Sequence, residues 1–468
     1  MAIPKILYAI DVWGIPKALE ETEPHKKGTS IAVSKLTSTQ RAGTLAITGC
    51  LRTTPTDLLD LHANTLPIHL EIDKHCHRAA IRIATLPPSH PLHKPARKCA
   101  ARYIKRHRSP LYNLMNVYNI CPKQTECIRP TPRNPALTCK RPFTVSIPAS
   151  KDASILKDTN ATENVRVYSD ELAHDGGVGA AAILCRNGVT TGKLRYYLGP
   201  STEHTVHEAE LTGILLGLHL IKMERRGTTS FVIGVDNQAA LSSLTATKMA
   251  PGQYITDEIL ETAKRIKKAK KSKNYSLKFR WTAGHVGIEG NEDVDKEAKK
   301  AAEGEASEKK DLPPLLRKKT KLSKSALKQH RSSQLKARWS QEWKASPRYH
   351  KFNTLDPTFP LSQFLKLISN VDLSRSDTSQ VCQLRTGHVP LNSYLERIGR
   401  SNDASCPAYG HFREDTRHFL LDCPAYAHER WTIHTKCKTR NPNLRNLLND
   451  KKLLIPIVNF IQRLDNLK

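Results

Sequence analysis

Hydrophobic positions between residues 163 and 305 alternate between strand and helix patterns. Runs of β-branched and apolar residues bounded by turn residues predict five strands, at residues 165–169, 178–184, 194–198, 231–235 and 277–281. Apolar residues at helical spacing predict helices at residues 205–225, at 237–244, from about 255, and after the fifth strand. The order βββαβαβα predicts an α/β domain, a mixed five-stranded sheet that begins with an antiparallel meander and carries helices on its faces.

The regions on either side of this domain have mainly helical patterns. Residues 1–118 contain two amphipathic helical patterns, and residues 336–468 are helical with a Cys/His-bearing segment at 406–423. Residues 119–162 carry six prolines and few periodic apolar positions, which predicts a linker. Residues 306–335 are predicted to be a second, basic linker.

Charge points to a polyanionic partner. The 468 residues suffice for about three domains. Lys and Arg number 74 against 44 Asp and Glu, a formal charge of +30, while hydrophobic residues make up 38%. An excess of this size is typical of nucleic-acid binding. The densest basic cluster, residues 264–273, has seven Lys or Arg in ten residues, and is either a solvated helix end or a phosphate-binding surface.

Cysteine usage and hydropathy favour an intracellular protein. The eleven cysteines are odd in number and scattered, with no Cys-x-x-Cys pair, which argues against a disulfide framework. Residues 1–13 lack a signal-peptide pattern. The apolar stretch 453–461 contains Pro456 and is shorter than the roughly 20 residues of a membrane helix. We therefore expect a monomer in the nucleus or cytoplasm, without membrane contact.

Four acidic residues lie where the predicted sheet would bring them together. Asp170 ends the first strand, and Asp236 ends the fourth. Glu210 lies in the first turns of the long helix, and Asp295 opens the last helix. If the first and fourth strands are parallel neighbours, Asp170 and Asp236 emerge at the same edge of the sheet. Any single Asp at a strand end is more often a turn residue, so the interpretation depends on the whole set.

The helix pattern directs the acid of the long helix toward that edge. Glu210, Gly213 and Gly217 share one stripe, and the glycines would let the helix backbone approach the sheet closely. Clustered carboxylates repel one another unless cations neutralise them, and ligands that are all oxygen suit Mg²⁺ or Mn²⁺. The set therefore predicts a two-metal site for in-line attack on a phosphodiester.

Four segments resemble, in order and spacing, the type 1 ribonuclease H domain that fungal non-LTR retrotransposons carry behind their reverse transcriptase. They read VRVYSDELAHDGGVGAAAIL, HTVHEAELTGILLGLHLI, VIGVDNQAALSSL and RWTAGHVGIEGNEDVDKEAKKAAEG. The resemblance covers residues 163–305, and its last block, Gly-His-x-Gly-x-x-Gly-Asn-Glu followed by Asp, is highly specific. It implies a ribonuclease H-like fold and a two-metal endoribonuclease that cuts the RNA strand of RNA–DNA hybrids, with Mg²⁺ or Mn²⁺ as cofactor.

The resemblance also implies roles for individual residues. The family's metal-binding carboxylates correspond to Asp170, Glu210, Asp236 and Asp295. The family's Glu-Leu pair favours Glu210 over Glu208, and the spacing from Gly290-Asn291-Glu292 favours Asp295 over Asp293.

Three further positions match residues that act on the substrate or the product in this family. His285 resembles the mobile histidine that assists the attacking water or product release. Thr205 and Gln238 match positions that touch the substrate backbone.

One departure from the family concerns the residue after the first carboxylate. The family usually has Asp-Gly-Ser there, whereas this chain has Asp170-Glu171-Leu172. A negatively charged side chain replaces a glycine where nucleic acid approaches the backbone, which predicts weakened activity.

The flanks resemble the same elements. Residues 1–118 are similar to the segment after the polymerase core, but the palm with its Asp-Asp dipeptide is absent, so no polymerisation is expected. The segment CPAYGHFREDTRHFLLDCP resembles a Cys-x-x-Cys…His…Cys knuckle in which Tyr409 replaces the second Cys. Cys406, His418 and Cys423 supply three ligands, and His411 could substitute for the fourth. The pattern nevertheless favours a degraded zinc site.

The function predicted from the sequence is therefore hydrolysis of the RNA strand of RNA–DNA hybrids. The alternative is a catalytically weakened or inactive nucleic-acid-binding protein derived from a retrotransposon, favoured by Glu171, the altered knuckle and the missing palm. A transposase or integrase of the same broad fold is disfavoured, because a long basic insertion and the Gly-His-x-Gly block follow Asp236.

Overall fold

The protein divides into two compact units. We call Met1–His75 with Ser333–Lys468 the terminal unit and Cys76–Ser332 the central unit. The computed structural model describes residues 2–14, 27–101, 109–129, 141–224, 227–247, 249–270, 274–284, 286–437, 439 and 441–464.

A six-stranded mixed sheet is the centre of the central unit. Its strands are β1 (Thr144–Ser146), β2 (Val165–His174), β3 (Gly177–Arg186), β4 (Val189–Pro200), β5 (Ser230–Val235) and β6 (Ser276–Trp281). They lie in the order β1-β6-β5-β2-β3-β4. Strands β2, β3 and β4 form the expected antiparallel meander, and the β2–β5, β5–β6 and β1–β6 pairs are parallel. The mixed sheet covered by helices is thus confirmed.

The number of strands differs from the prediction. The sequence predicted five strands and a linker over residues 119–162, but three residues of that segment form β1 beside Lys278–Arg280 of β6. The ring of Phe143 packs edge-on against Phe279, with centroids 4.7 Å apart, and is 7% exposed. A three-residue strand between prolines has too little alternation to be recognised, so only its core contact identifies it.

Helices cover both faces of the sheet. Those that lie within the central unit are His93–Ala101, Pro110–Val117, Lys151–Thr159, Val206–Met223, Gln238–Thr245, Gln253–Lys270 and Glu289–Ala302. Two more, Ile68–Ala84 and Lys324–Lys344, cross the boundaries between the units in sequence. The predicted basic linker contains the 3-10 helix Pro314–Arg317, and its Leu312 and Leu316 are buried in the sheet core.

The helix Val206–Met223 is almost fully buried against the sheet. It begins at a capping box, in which the Thr205 hydroxyl accepts from Glu208 N while the Glu208 carboxylate accepts from Thr205 N. Its glycines allow the expected close approach. A Cβ at Gly217 would lie 2.9 Å from Val167 Cγ1, and one at Gly213 would lie 3.3 Å from Ser169 Cβ.

The terminal unit is helical, as expected. Its helices are Ala2–Ile6, Ile10–Trp13, Lys27–Thr48, Thr56–His62, Tyr349–Leu355, Ser362–Ser369, Arg375–Thr386, Asn392–Arg397, Trp431–Lys436, Leu444–Asn449 and Lys451–Leu464. One apolar cluster gathers around Leu59, Trp339 and Phe364, and another around Phe419 and Phe460. None of the described helices has the length and apolarity needed to cross a bilayer.

The close helix–sheet contact gives a stability test. We expect Gly217→Ala to destabilise the protein by about 1–3 kcal/mol, because the added methyl group overpacks against Val167. The matched control is Gly43→Ala, since Gly43 is also inside a helix but has nothing within 4 Å of its added Cβ. Ala should stabilise that helix by up to about 1 kcal/mol. Urea unfolding followed by circular dichroism checks both. Equal effects of the two substitutions would contradict the contact.

Candidate active site

Asp170 and Asp236 lie side by side at one edge of the sheet. Strands β2 and β5 pair in parallel with Ser169 opposite Val235, so the next residue on each strand is one of these aspartates. The structure therefore places the predicted first and fourth strands as parallel neighbours. One carboxylate oxygen each of Asp170, Asp236 and Glu171 lies within 4.8 Å of the others.

Backbone contacts hold the two aspartates in place. The Asp170 carboxylate accepts from Glu171 N at 2.9 Å. Trp281 Nε1 donates to the main-chain oxygen of Asp236 at 2.8 Å. Gly284 lies so near that a Cβ there would be 3.1 Å from Asp236 Oδ2. The glycine of the Gly-His-x-Gly block thus leaves room for this carboxylate.

Glu210 reaches the same cluster from the buried helix. Its carboxyl group contacts those of Glu171 and Asp236, and the residue is 0% exposed. Neither oxygen accepts a hydrogen bond from an N–H or hydroxyl group of the described residues. Glu208, the alternative in the sequence, is instead engaged in the capping box with Thr205.

Asp295 approaches the cluster from the opposite face of the sheet. It lies on the helix Glu289–Ala302, is half-buried, and its negative charge contributes to the raised pKa of Asp170. This helix starts directly on β2, where a Cβ at Gly290 would overlap the Tyr168 ring. Asp295 is not among the three residues whose oxygens lie within 4.8 Å of one another.

The remaining predicted residues lie around this cluster or outside the described chain. Thr205 is half-buried and caps the buried helix. Gln238 is exposed at the first position of the helix Gln238–Thr245, two residues after Asp236. His285 lies outside the described residues.

Burial and mutual repulsion raise the pKa values of the carboxyl groups. Burial, then the charge of Asp236, raises the pKa of Asp170 to about 8. Burial also raises the pKa of Glu210 to about 8, although a hydrogen bond from Glu171 partly opposes this. Burial and the neighbouring Glu210 raise the pKa of Glu171 to about 12. The close approach of Glu171 and Glu210 therefore favours the protonated form of Glu171.

Glu171 is the member of the cluster that the sequence interpretation did not include. Its side chain points into the carboxylate group, and Oε2 is buried without an N–H or hydroxyl partner in the described chain. A signal for this was present, since alternate residues of a strand share a face. Val167, Ser169 and Glu171 follow one another on the face that meets the buried helix. The predicted strand ended at Ser169, whereas β2 continues to His174.

The donor set fits a hard divalent cation. Every candidate ligand atom is a carboxylate oxygen, which is the donor that Mg²⁺ and Mn²⁺ prefer. Both Glu210 oxygens and one Glu171 oxygen are buried without a conventional donor, so a cation would satisfy them. The acidic cluster could therefore hold a divalent metal ion.

The terminal unit contains a second group of possible metal ligands. Cys406, His418 and Cys423 are buried, and their ligand atoms lie within 4.8 Å of one another. The His411 ring stacks on His418, with centroids 4.4 Å apart and an interplanar angle of 12°. Tyr409, at the second Cys position of the knuckle, is 59% exposed. The three expected ligands are thus brought together, with His411 adjacent to them.

Comparison with known proteins identifies the fold of the central domain. A family model described as RNase H matches residues 162–303. No curated protein sequence matches the chain. Similar solved structures include the N-terminal RNase H domain of a Mycobacterium tuberculosis protein fused to maltose-binding protein (16% identity, 30% of this chain and 93% of that chain, TM-score 0.23). A second is LC11-RNase H1 in complex with RNA/DNA hybrid, with 16% identity over 30% of this chain and 96% of that chain and a TM-score of 0.24. A third is RNase H1 from Halobacterium salinarum, with 16% identity over 30% of this chain and 98% of that chain and a TM-score of 0.23. The family match, together with the mixed sheet described above, makes residues 162–303 a ribonuclease H domain.

Proposed function

We propose that the protein is an endoribonuclease that hydrolyses the RNA strand of RNA–DNA hybrids. The observation that carries this proposal is the buried carboxylate cluster of Asp170, Glu171, Glu210 and Asp236, located in a domain that matches the RNase H family. Asp170, Glu210, Asp236 and Asp295 are the proposed metal ligands, and the proposed ions are two Mg²⁺ or Mn²⁺. When bound, such ions supply positive charge to the reacting phosphate and lower the pKa of the attacking water.

The fold of the chain would preorganise these carboxylates before any substrate binds. The sheet fixes Asp170 on β2 and Asp236 directly after β5, and the buried helix fixes Glu210, so little reorganisation is needed when charge develops. Thr205 and Gln238 are proposed to contact the substrate backbone, and His285 to assist the attacking water or product release. The retrotransposon origin rests on the sequence resemblance alone.

A second candidate function is supported by Glu171. Its carboxyl group lies against that of Glu210, one of the proposed ligands, and fills space beside Asp170. A domain in this state would bind nucleic acid through its basic surface but cleave slowly or not at all. Of the basic cluster 264–273, Lys264 and Arg265 form ion pairs with Glu261 and Glu258. The two candidate functions differ in whether the carboxylate cluster supports cleavage of the bound nucleic acid.

The proposed ligands predict a paired mutational result on one helix. Asp295→Asn should reduce the hydrolysis of labelled RNA–DNA hybrid in Mg²⁺ at least about 100-fold, because it removes a charged ligand. Asp293→Asn is the matched control, since Asp293 lies two residues away and pairs with Lys296 at the surface. It should leave the rate within about twofold, in line with the small effect of surface pairs. Loss of activity in the control but not in Asp295→Asn would reverse the assignment.

Raised pKa values predict how stability varies with pH when metal is removed. Asp170 and Glu210 have a pKa of about 8 in the folded protein, against 3.8 and 4.5 as ordinary values. The folded state therefore binds more protons than the unfolded state, and stability falls as pH rises toward about 8. In EDTA, we expect a lower Tm at about pH 8 than at about pH 5. Mg²⁺ should raise Tm most at the higher pH, and Asp236→Asn should weaken both effects. A Mg²⁺ effect that does not change with pH would contradict this protonation pattern.

Replacement of Glu171 separates the two candidate functions. Glu171→Gly should raise cleavage of the hybrid about tenfold, which corresponds to about 1.4 kcal/mol, because it removes the carboxyl group that lies against Glu210 and beside Asp170. Glu171→Gln is the control, since it removes the acidic group but keeps the bulk and a hydrogen-bond donor beside Glu210. An active parent with no gain from Gly would mean that the site tolerates this side chain. No cleavage by the parent or either variant, with hybrid binding intact, would support the non-catalytic candidate.

A further inference from the structure

A large basic cleft lies within the terminal unit. It has a volume of about 990 Å³ and is formed by the helices Tyr349–Leu355, Asn392–Arg397 and Leu444–Asn449 with the segments 384–389 and 413–417. Seven Arg or Lys side chains line it, against two carboxylates, among the described residues. A concave surface with one sign of charge concentrates its field and attracts the opposite charge.

Most of these cations are available to a ligand. Lys351, Arg397 and Arg445 are exposed and form no ion pair with a described carboxylate. Arg385 is the exception, because it is 3% exposed and binds Asp356 at 2.6 Å.

The other three arginines make surface ion pairs. Arg348, Arg413 and Arg417 lie 3.1–3.4 Å from single carboxylates, and their side chains are 44%, 56% and 65% exposed. Surface pairs of this kind are weak, and each guanidinium keeps further donors for a phosphate.

The two carboxylates of the cleft are used by the protein itself. Glu414 is buried and accepts from Asn392 N at 2.8 Å. Asp415 Oδ1 accepts from the main-chain N–H groups of Arg417 and His418, at 3.0 Å each. They therefore stabilise backbone turns, and the positive charge of the rim is only partly neutralised.

A histidine lies in the same cleft as these cations. His388 lies there half-buried, with its ring edge-on to Tyr394 and 5.2 Å from it. Burial and then the charges of Arg397, Arg348 and Lys351 lower the pKa of His388. Cations from the segment 348–351 and from the helix Asn392–Arg397 thus act on the same imidazole, where an anion would be favoured.

Exposed aromatic side chains adjoin the cleft. A neighbouring groove of about 400 Å³ shares Arg413, Asp415 and Arg417 with it. Phe412 and Tyr409 line this groove and are 77% and 59% exposed. Exposed aromatic rings beside cations are the arrangement on which unpaired bases stack.

We propose that the terminal unit binds a single-stranded nucleic acid, with phosphates in the basic cleft and bases against Phe412 and Tyr409. A single strand fits better than a duplex, because the bases of a duplex are already stacked and cannot cover these rings. An acidic peptide would use the cations but would leave the aromatic groove without a partner. This site is separate from the carboxylate cluster and does not depend on its activity.

The test uses the full-length protein and a fluorescein-labelled single-stranded oligothymidylate, in EDTA so that no cleavage intervenes. Fluorescence anisotropy at several salt concentrations compares a cleft variant, Lys351→Gln with Arg397→Gln and Arg445→Gln, with a control variant of equal charge. The control is Lys366→Gln with Lys451→Gln and Lys452→Gln, which are exposed cations of the same unit outside the cleft. The cleft variant should bind about tenfold more weakly and with a smaller salt slope, and the control should change less than about twofold.

A site-resolved readout separates this cleft from the basic surface of the central unit. With 5-iodouracil in the strand, photocrosslinks should map to the peptide that contains Tyr409 and Phe412 in the parent and the control, but not in the cleft variant. Crosslinks confined to the central unit, or equal losses in both variants, would overturn the proposal. Thermal melts establish that the surface substitutions leave the fold intact.

A separate variant tests the aromatic groove. Phe412→Ala with Tyr409→Ala should weaken binding of oligothymidylate but not of an abasic strand of the same length, because stacking needs bases. Equal losses for both strands would overturn the base-stacking role.

Poly-glutamate serves as the competing polyanion. Displacement of the oligonucleotide by poly-glutamate at equal charge concentration would identify the cleft as a site for acidic peptides and overturn the nucleic-acid assignment.

Discussion

The close contact between one buried helix and strand β2 is the constraint on which the carboxylate cluster depends. Gly217 lies against Val167, Gly213 against Ser169, and the carboxyl group of Glu210 against that of Glu171. Each pair of residues along the strand is matched by about one turn of the helix, so the same packing that buries the apolar core also carries Glu210 to the edge of the sheet. A side chain at either glycine would push the helix, and with it this carboxyl group, away from β2.

The cost of this arrangement is electrostatic. Burial removes the carboxyl groups from water, and their proximity makes a second charge harder to form than the first. The protein relieves this repulsion by protonation, most strongly at Glu171, whose pKa is raised to about 12. A divalent cation would relieve the same repulsion without protons, so protons and metal compete for one set of oxygens. Glu171, the residue after Asp170, adds a carboxyl group to the cluster and so increases this repulsion.

Positive charge is used differently in the two units. In the central unit, several cations of the helix Gln253–Lys270 are engaged by the protein, since Lys264 and Arg265 pair with glutamates and Lys270 donates to a main-chain oxygen. In the terminal unit, three exposed cations of the cleft form no ion pair with a described carboxylate, and three further arginines form exposed pairs. The exposed Phe412 ring lies in the groove beside this cleft. A charge of +30 for the whole chain cannot distinguish these cases, because it counts paired and unpaired cations alike.

The sequence by itself determined the periodic elements and the residues whose roles follow from them. The apolar spacing gave the meander, the long buried helix and the glycine stripe, and strand ends placed Asp170 and Asp236 together, because local patterns dictate which face of an element is buried. Strand β1, the buried position of Leu316 and the joining of Glu171 to Glu210 depended on tertiary structure. A three-residue strand has no readable period, and a carboxyl group next to a ligand can face solvent or the cluster with the same local sequence. Only the packing of the helix on β2 fixed that choice, just as only the fold brought residues 347–355, 384–398, 413–417 and 443–445 together around the basic cleft.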